Sequence, residues 1–428
     1  MTELRAKAER LHQVLEEQFY DAQGLMYAYL DARTRKPFTP EAIAGYPLKF
    51  PGAPPLEQWF SHENTPMVVG NYLSALAARA RVEPGGETDA MLERAMGCVR
   101  EVSRLGASVR EPGWLCKPYG GKASHESTND QYGGVIAGLR ELARLAPGTI
   151  PPPLRDEARR LALALCDYWV RHDYVCSYCG KLNHRWMGPT QWGLVTMAFV
   201  RVAHELGGDE MYAREAERLC RDERCDRPRP RSGNFLHGIL SDRPHVGVRR
   251  IAAYHFLVVD YLDILLDAWP QRRDHWLVLL RAFWTQDVNM GIDEDGLQFG
   301  CYEVDTRTNS WNPIEPQYLF SPGVTRETVS FLHHHWVGKF KSGTTTSHVP
   351  SAAVLVGHRI PQWRDQCREL ALRILSALDE DRMTMTIDPR GDQESREAGP
   401  VRVNMFDGRA PAQWLRAYWH GRGLGWWE

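Results

Sequence analysis

The sequence Ser61-His-Glu-Asn-Thr65 returns 63 residues later as Ser124-His-Glu-Ser-Thr128. A second pair of segments, Gln131-Tyr-Gly133 and Gln191-Trp-Gly193, is separated by 60 residues. A period near 60 residues corresponds to two helices with their loops, and it is typical of proteins that repeat a helical hairpin. The repeat therefore predicts a fold built from successive helical hairpins.

Around the repeats, apolar residues recur at helical spacing in twelve segments, as Leu4, Leu11 and Leu15 do in the first of them. Twelve helices form six hairpins, and six hairpins can close into a ring with alternate helices inside and outside. A glycine follows the repeated threonine by five residues in both copies, at Gly70 and Gly133, and would let inner helices pack closely. The predicted helices are Thr2–Phe19, Asn64–Ala80, Thr88–Leu105, Thr128–Leu145, Leu154–Val170, Thr190–Leu206, Asp209–Cys220, Val248–Leu266, Asp274–Asp287, Ser347–Val356, Pro361–Leu378 and Pro411–His420.

Three Asp-x-x-Gly turns lie beside short runs of strand-forming residues. They begin at Asp21, Asp293 and Asp388, and each predicts a small β-hairpin that decorates the helical body. Strands and helices do not alternate along the chain, which argues against a (β/α)8 barrel or a doubly wound sheet.

Composition narrows the function classes. The chain has 428 residues, 43% of them hydrophobic, and a formal net charge of −2, so it lacks the basic excess of a general nucleic-acid binder. We find no signal-peptide pattern and no uncharged apolar run of membrane-spanning length, so the sequence predicts a cytoplasmic protein without a membrane partner. Nine cysteines are then expected to be reduced thiols. The alternative is a zinc site of Cys176, Cys179, Cys220 and Cys225.

The segments Ser61–Gly70, Ser124–Gly134 and Met187–Gly193, together with the Asp-x-x-Gly turns, resemble the six-hairpin (α/α)6-toroid superfamily of carbohydrate-active proteins. That resemblance implies an all-α toroid spanning residues 1–428 as one domain, with no cofactor and with a sugar or oligosaccharide substrate. The superfamily includes unsaturated-glucuronyl hydrolases, other glycosidases, polysaccharide lyases and sugar 2-epimerases. Its pocket lies at one end of the ring, beside the N-termini of the inner helices.

Three carboxyl groups lie at predicted starts of inner helices: Glu63, Glu126 and Asp130. Hydrolysis of a glycosidic bond usually needs two carboxyls, one of which donates a proton. Asp130 resembles the acid/base aspartate that unsaturated-glucuronyl hydrolases place early in an inner helix. The leading hypothesis is therefore a glycoside hydrolase with Asp130 as proton donor and Glu63 or Glu126 as its partner.

Other side chains near the same helix starts are suited to bind a sugar. Histidines and amides hydrogen-bond hydroxyls, arginines pair with carboxylates, and aromatic rings pack on the C–H faces of sugars. The candidates are His62, His125, Asn129, Tyr132, Arg185, Trp186, Gln191, Trp192, Arg249, His255, Trp311 and His348.

Two alternatives stand beside hydrolysis. The first is a lyase or sugar epimerase on the same fold, in which Tyr132, His125, His255 or His348 would act as base and acid. In that reaction Asn129 or an arginine would neutralise the charge that develops on the substrate. The second is a toroid that binds a glycan or a protein without catalysis.

Overall fold

Helices dominate the structure, a computed structural model that describes residues 3–44, 53–178, 181–183, 191–221, 246–250, 253–285, 291–299, 301–305, 307–308, 310–313, 343–387 and 403–428. Six helices of these ranges form an inner set: α3 (Thr65–Val82), α5 (Asn129–Ala143), α7 (Gln191–Gly207), α9 (Ala253–Ala268), α11 (Gly343–Arg359) and α13 (Arg409–Gly423). Six form an outer set: α1 (Glu3–Gln18), α4 (Gly86–Val109), α6 (Pro152–Arg171), α8 (Glu210–Arg221), α10 (Arg273–Phe283) and α12 (Arg364–Ala377). A short helix, α2 (Leu56–His62), precedes α3.

The inner helices close into a ring. Each packs against the next along the chain, and α13 packs against α3. Each also packs against one outer helix: α13 against α1, α3 against α4, α5 against α6, α7 against α8, α9 against α10 and α11 against α12. The predicted all-α (α/α)6 toroid is thereby confirmed.

Burial explains why the two sets differ in sequence. In α3 every residue from Thr65 to Ala80 is buried, as expected for a helix surrounded on all sides. In α6 the buried residues include Leu154, Ala158, Leu165 and Trp169, which form one stripe of an otherwise charged helix. No helix in the described ranges combines the length and the hydropathy that crossing a membrane requires.

Two inner helices cross at glycines. A Cβ atom added to Gly70 of α3 would overlap the Gly134 carbonyl group and lie 2.5 Å from the backbone nitrogen of Val135 in α5. A Cβ atom on Gly138 would lie 2.5 Å from the Gly70 carbonyl oxygen. Gly133 faces the Tyr261 hydroxyl of α9 just as tightly. The predicted role of the repeated glycines in close packing is confirmed, because only a hydrogen atom fits at these positions.

Within the described ranges, eight short strands form three antiparallel sheets. The strands are β1 (Tyr29–Asp31), β2 (Cys176–Tyr178), β3 (Lys181–Asn183), β4 (Val246–Arg250), β5 (Cys301–Asp305), β6 (Ser310–Pro313), β7 (Thr384–Ile387) and β8 (Val403–Asp407). Their orders are β1-β8-β7, β2-β3 and β4-β5-β6. In the first sheet Leu30 pairs with Phe406, so the two ends of the chain meet.

The first two Asp-x-x-Gly turns form as predicted. The Asp21 carboxylate accepts hydrogen bonds from the Gln23 and Leu25 nitrogens, at 2.8 and 2.9 Å, and Asp293 accepts one from Leu297 at 2.8 Å. Each turn is closed by a single bridge between flanking residues. The strand beyond the first turn, β1, pairs with the distant strand β8. The strand beyond the second, β5, pairs with the distant strand β4 and forms a local hairpin with the next strand, β6. The third turn, at 388–391, lies outside the described residues.

The largest error in the predicted helix bounds is at the start of α9. Residues 246–250 form β4, so the predicted helix Val248–Leu266 begins only at Ala253. The sequence Val246-Gly-Val248 suits a strand, and β4 pairs along its whole length with β5. That pairing is distant in sequence and outweighs the local preference for helix.

A network of ion pairs lies where the inner helices end. Asp267 of α9 accepts hydrogen bonds from Arg144 at 2.9 Å and from Arg359 of α11 at 2.8 Å. Burial alone would raise the pKa of Asp267, but the hydrogen bond and charge of Arg359, and then Arg144, lower it to about 2. The network ties neighbouring inner helices together at this end of the ring.

Acid is expected to weaken folding through Asp267. The ordinary pKa of this carboxyl is 3.8, so its stabilisation is complete above pH 4 and is lost as the pH falls towards 2. The full contribution is roughly 2 kcal/mol, and about half of it should be lost by pH 3. Urea unfolding at pH 7 and pH 3 checks this, since Asp267→Asn should lose less stability on acidification than wild type. An equal loss of stability in both proteins would show that Asp267 is not the cause of the acid sensitivity.

Candidate active site

Polar side chains gather where the inner helices begin. Asn64 precedes α3, and its Oδ1 accepts a hydrogen bond of 2.5 Å from Nε2 of Gln131 in α5. Arg409 begins α13, and its guanidinium lies 3.7 Å from the sulfur of Met67 in α3. These contacts show that α3, α5 and α13 begin at the same end of the ring. Helix N-termini carry positive potential and unpaired N–H groups, so this end suits polar and anionic groups.

Glu63 lies at the centre of a buried cluster with Lys117 and Tyr178, which we call the Glu63 cluster. Lys117 Nζ donates to Glu63 Oε1 at 2.5 Å and to the Glu63 carbonyl oxygen at 2.9 Å. The Tyr178 hydroxyl donates to the same Oε1 at 2.8 Å, and Lys117 Nζ lies 4.5 Å from the centre of the Tyr178 ring. The cluster joins the start of α3, the segment before α5 and the strand β2.

A second buried ion pair lies beside this cluster. The Arg409 Nε is 3.0 Å from Asp407 Oδ1 and 3.1 Å from Asp407 Oδ2. Burial would lower the pKa of Arg409, but Asp407 and then Tyr29 raise it, so the guanidinium is a permanent cation. Tyr29 accepts from Arg409 at 3.5 Å and also contacts Asn64. Through Tyr29 and Asn64 these contacts connect the Arg409–Asp407 pair to Gln131 at the start of α5.

Asp130 lies in the first turn of α5 and is half-buried. Its Oδ1 accepts hydrogen bonds from the Thr128 hydroxyl and, at 3.1 Å, from the Gln131 nitrogen. Burial is the main cause of the raised pKa values of Cys176 and Tyr261, and the charge of Asp130 adds to both. The charge of Asp130 thus acts on one residue of β2 and on one residue of α9.

Glu126 is tied to the same part of the chain as Glu63. The Tyr119 hydroxyl donates to Glu126 Oε2 at 3.1 Å, and the Lys117 nitrogen donates to the Glu126 carbonyl oxygen at 2.8 Å. The adjacent His125 is exposed, and its carbonyl oxygen accepts from the Ser177 hydroxyl. The structure thus brings Glu63 and Glu126 to one segment, 117–119, and Asp130 follows Glu126 in the chain, in the first turn of α5.

Four more predicted residues have described surroundings. His62 ends α2 instead of starting an inner helix; its Nε2 lies 3.2 Å from Asp21 Oδ2. Tyr132 is buried between α5 and α6, and its hydroxyl donates to the Gly113 oxygen at 3.0 Å and accepts from the Leu115 nitrogen at 2.8 Å. His348 is buried in the second turn of α11. Trp311 is half-buried on β6, with its ring 5.5 Å from that of Phe299.

The remaining candidates lie wholly or partly outside the described residues. Arg185, Trp186, Cys179 and Cys225 lie outside them. The backbones of Gln191 and Trp192 in α7, of Arg249 in β4 and of His255 in α9 are placed. All four are therefore near the predicted helix starts, and their role in binding a sugar stays a prediction.

Several buried polar atoms near the inner helix starts make no hydrogen bond to any described residue. Burying such an atom unpaired costs about 1–3 kcal/mol, so these atoms are well placed to bind a polar molecule. They include both polar side-chain atoms of Asn129, Oε1 of Gln131, Oγ1 of Thr344, Nδ2 of Asn71 and Nε2 of Gln413. Amides and hydroxyls of this kind match the hydroxyl groups of a sugar.

The predicted zinc alternative rests on two described cysteines. Cys176 and Cys220 are both buried, and the other two cysteines of the predicted set lie outside the described residues. Within the ranges that the structure describes, no three His, Cys, Asp or Glu side chains are arranged to hold a metal ion.

Removing the Tyr178 hydroxyl is expected to loosen the Glu63 cluster. Tyr178→Phe keeps the ring over Lys117 but deletes the hydrogen bond to Glu63, which should cost about 1.5–3 kcal/mol because the acceptor is a carboxylate. Urea unfolding measures the loss. Tyr27→Phe is the matched control, since the half-buried Tyr27 makes no hydrogen bond through its hydroxyl to the described residues. Equal stability of the two variants would contradict a structural role for the cluster.

The sequence analysis missed most residues of the two ion pairs and the tyrosines that hydrogen-bond to them. Lys117, Tyr178, Tyr29, Asp407 and Arg409 carry no spacing signal, because each reaches the site from a different segment. Asn64 and Gln131 belong to the repeats Ser-His-Glu-Asn-Thr and Gln-Tyr-Gly, so the repeat itself could have identified them.

Comparisons with known proteins bear on the fold. No family model matches the sequence, and no curated protein matches it. Among solved structures the chain is similar to a D-mannose isomerase, with a TM-score of 0.50 and 10% sequence identity. The match covers 99% of this chain and 97% of that one. At this identity the similarity establishes architecture alone: the chain has the six-hairpin (α/α)6 fold on which that sugar isomerase is also built.

Proposed function

We propose that the protein is an enzyme that moves a proton on the carbon skeleton of a sugar, as an aldose–ketose isomerase or an epimerase. The observation that carries this proposal is the similarity to a D-mannose isomerase over nearly the whole of both chains. The buried amides and hydroxyls near the inner helix starts support it, because they suit a small molecule rich in hydroxyl groups.

The proton transfers are assigned to two histidines. His255 is the third residue of α9 and His348 the sixth of α11, and these two inner helices are neighbours in the ring. One neutral imidazole would take the proton from the carbon beside the sugar carbonyl group. The other, protonated at the start, would donate its own proton to the neighbouring carbon or to the opposite face of the same carbon. Histidine suits both steps because its ordinary pKa is near neutral pH.

The charged groups at this end favour a neutral sugar. Lys117 is held by Glu63, and Arg409 is held by Asp407. Binding an acidic sugar through either cation would break a buried ion pair, at a cost of about 3–5 kcal/mol. Asn129 and Gln131 can instead hydrogen-bond hydroxyls without any charge being displaced.

Hydrolysis by carboxyl groups is the second candidate. It is favoured by the half-buried Asp130 in the first turn of α5, which follows Glu126 closely in the chain. Glu63 suits this role less well, because Lys117 and Tyr178 already occupy its Oε1.

Incubation with D-mannose in heavy water tests the proposal. A proton-transfer enzyme should exchange the hydrogen on C2 for deuterium and form the ketose or the epimer, both visible by NMR. D-Glucose and other neutral aldoses extend the panel, and aryl glycosides serve as the hydrolase arm. Release of the aryl group without deuterium exchange on any free sugar would replace the proposal with hydrolysis.

A further inference from the structure

A cavity opens at the opposite end of the ring, where the inner helices finish. Its volume is about 310 Å³, and its lining comes from the last turns of α3, α5, α9, α11 and α13. The helices rise about 1.5 Å per residue, so the lining residues lie roughly 15–24 Å along the helices from the inner helix starts. It is therefore separate from the candidate active site.

The cavity has an apolar part and an entrance. Ala78, Val354 and Trp419 form buried apolar lining, while Leu424 at the edge is 38% exposed. Arg144 also lies at the edge, with 40% of its side chain exposed. A small molecule can thus enter from solvent and meet a buried inner wall.

Charges in the wall are numerous and paired. Asp267 contacts Arg144 at 2.9 Å, Arg359 at 2.8 Å and Arg140 at 3.5 Å. Asp263 contacts Arg359 at 2.6 Å. These ion pairs lie along the cavity wall and hold the guanidinium and carboxylate groups in fixed positions.

The remaining lining charges are compensated as well. Arg81 pairs with Glu141, and Arg140 contacts Glu205, which lies behind the lining, at 2.5 Å. Four arginines thus face four carboxylates. An added ion would have to displace one of these partners, whereas a neutral molecule would not.

Hydrogen-bonding capacity nevertheless remains in the wall. A guanidinium carries five N–H donors, and Arg359 uses Nε and Nη1 for Asp263 and Asp267. The Nε2 atom of His420, another lining residue, is buried and makes no hydrogen bond to the part of the chain that is described. The lining therefore holds guanidinium N–H donors and an imidazole nitrogen without a partner among the described residues, and a hydroxyl group can bind either kind because it both donates and accepts.

We propose that this cavity binds a neutral, polyhydroxylated molecule of about monosaccharide size. The balanced charges argue against an anion, and the mixed apolar and hydrogen-bonding lining matches the surface of a sugar or cyclic polyol. A ligand here would contact five of the six inner helices and so stabilise the closed ring by mass action. The inference concerns a second site and does not depend on the reaction proposed for the first.

Saturation-transfer NMR with myo-inositol, D-glucose and D-mannose tests the proposal, with inorganic phosphate as the anionic probe. At least one neutral probe should give a saturable signal with wild type. Myo-inositol has no carbonyl group and so reports binding without turnover. Arg144→Met should weaken that signal at least tenfold, because the residue lines the entrance.

Three further variants show whether the NMR signal comes from this cavity. Arg160→Met is the matched control, since Arg160 lies on the outer helix α6 with 71% of its side chain exposed. His348→Gln changes the candidate active site and should keep the signal. Leu424→Trp narrows the entrance at an exposed position and replaces Arg144→Met if that variant does not fold.

Two outcomes would overturn the proposal. One is binding of phosphate with no binding of any neutral probe. The other is a neutral-probe signal that survives both entrance variants or disappears in His348→Gln, which would place the ligand at the first site. Failure of the deuterium-exchange experiment leaves these readouts unchanged, so the two proposals fail separately.

Discussion

His348→Gln is expected to lower turnover of an aldose by at least ~100-fold, the usual contribution of a general acid or base. Glutamine keeps a hydrogen-bonding side chain of similar length, but it cannot exchange a proton near neutral pH. Deuterium exchange at C2 should fall together with product formation, because both need the same proton transfer. Both rates are measured by NMR in heavy water on the folded variant.

His172→Gln is the matched control for this prediction. His172 lies at the end of the outer helix α6 and contacts Glu111 at the surface, so this variant should turn over substrate at the wild-type rate. Deuterium exchange at the wild-type rate in His348→Gln would show that His348 does not carry the proton transfer.

Asp130→Asn separates the two candidate functions. If Asp130 donates the proton in a hydrolysis, its loss should slow hydrolysis of a glycoside that has a poor leaving group by at least ~100-fold. Hydrolysis of a glycoside with a very good leaving group should slow far less, because that group can depart with little protonation. If the histidines carry the reaction, Asp130→Asn should change aldose turnover much less than His348→Gln does.

Gly70→Ala is expected to destabilise the fold by about 3 kcal/mol or more. The added methyl group would overlap the Gly134 carbonyl group and lie 2.5 Å from the Val135 nitrogen, so α3 and α5 would have to separate. Overpacking of a dense core typically costs 1–3 kcal/mol, and here the obstacle is backbone, which cannot move aside like a side chain. Urea unfolding measures the loss.

Gly97→Ala provides the control on the outer helix α4. A Cβ atom at Gly97 meets nothing within 4 Å, so only the helix preference of alanine acts there. That preference should raise stability by up to ~1 kcal/mol. A similar gain in Gly70→Ala would show that the two inner helices do not cross as closely as described.

Local patterns in the sequence were sufficient for the helical architecture. Each of the twelve predicted helices has a counterpart in the structure, and most bounds differ by only a few residues. Helical periodicity is a property of neighbouring residues, so it can be read without the fold. The glycine of the repeated motif was equally informative, because close helix packing needs a small residue wherever it occurs.

The sequence also placed Glu63, Glu126 and Asp130 in one part of the molecule, because all three belong to or follow the repeated motif. Their surroundings could not be predicted. Glu63 is held by Lys117, 54 residues away, and by Tyr178, 115 residues away. No local pattern encodes such contacts.

Tertiary structure alone decided three features: the pairing of β1 with β8, the Glu63 cluster and the cavity at the opposite end. Each is formed by side chains or strands that are distant in sequence and meet only when the ring closes. The same holds for Asp267, whose arginine partners come from α11 and from beside α5. The sequence determines which helices form and which faces are apolar, whereas ring closure determines which polar groups meet, because that depends on how the whole chain packs.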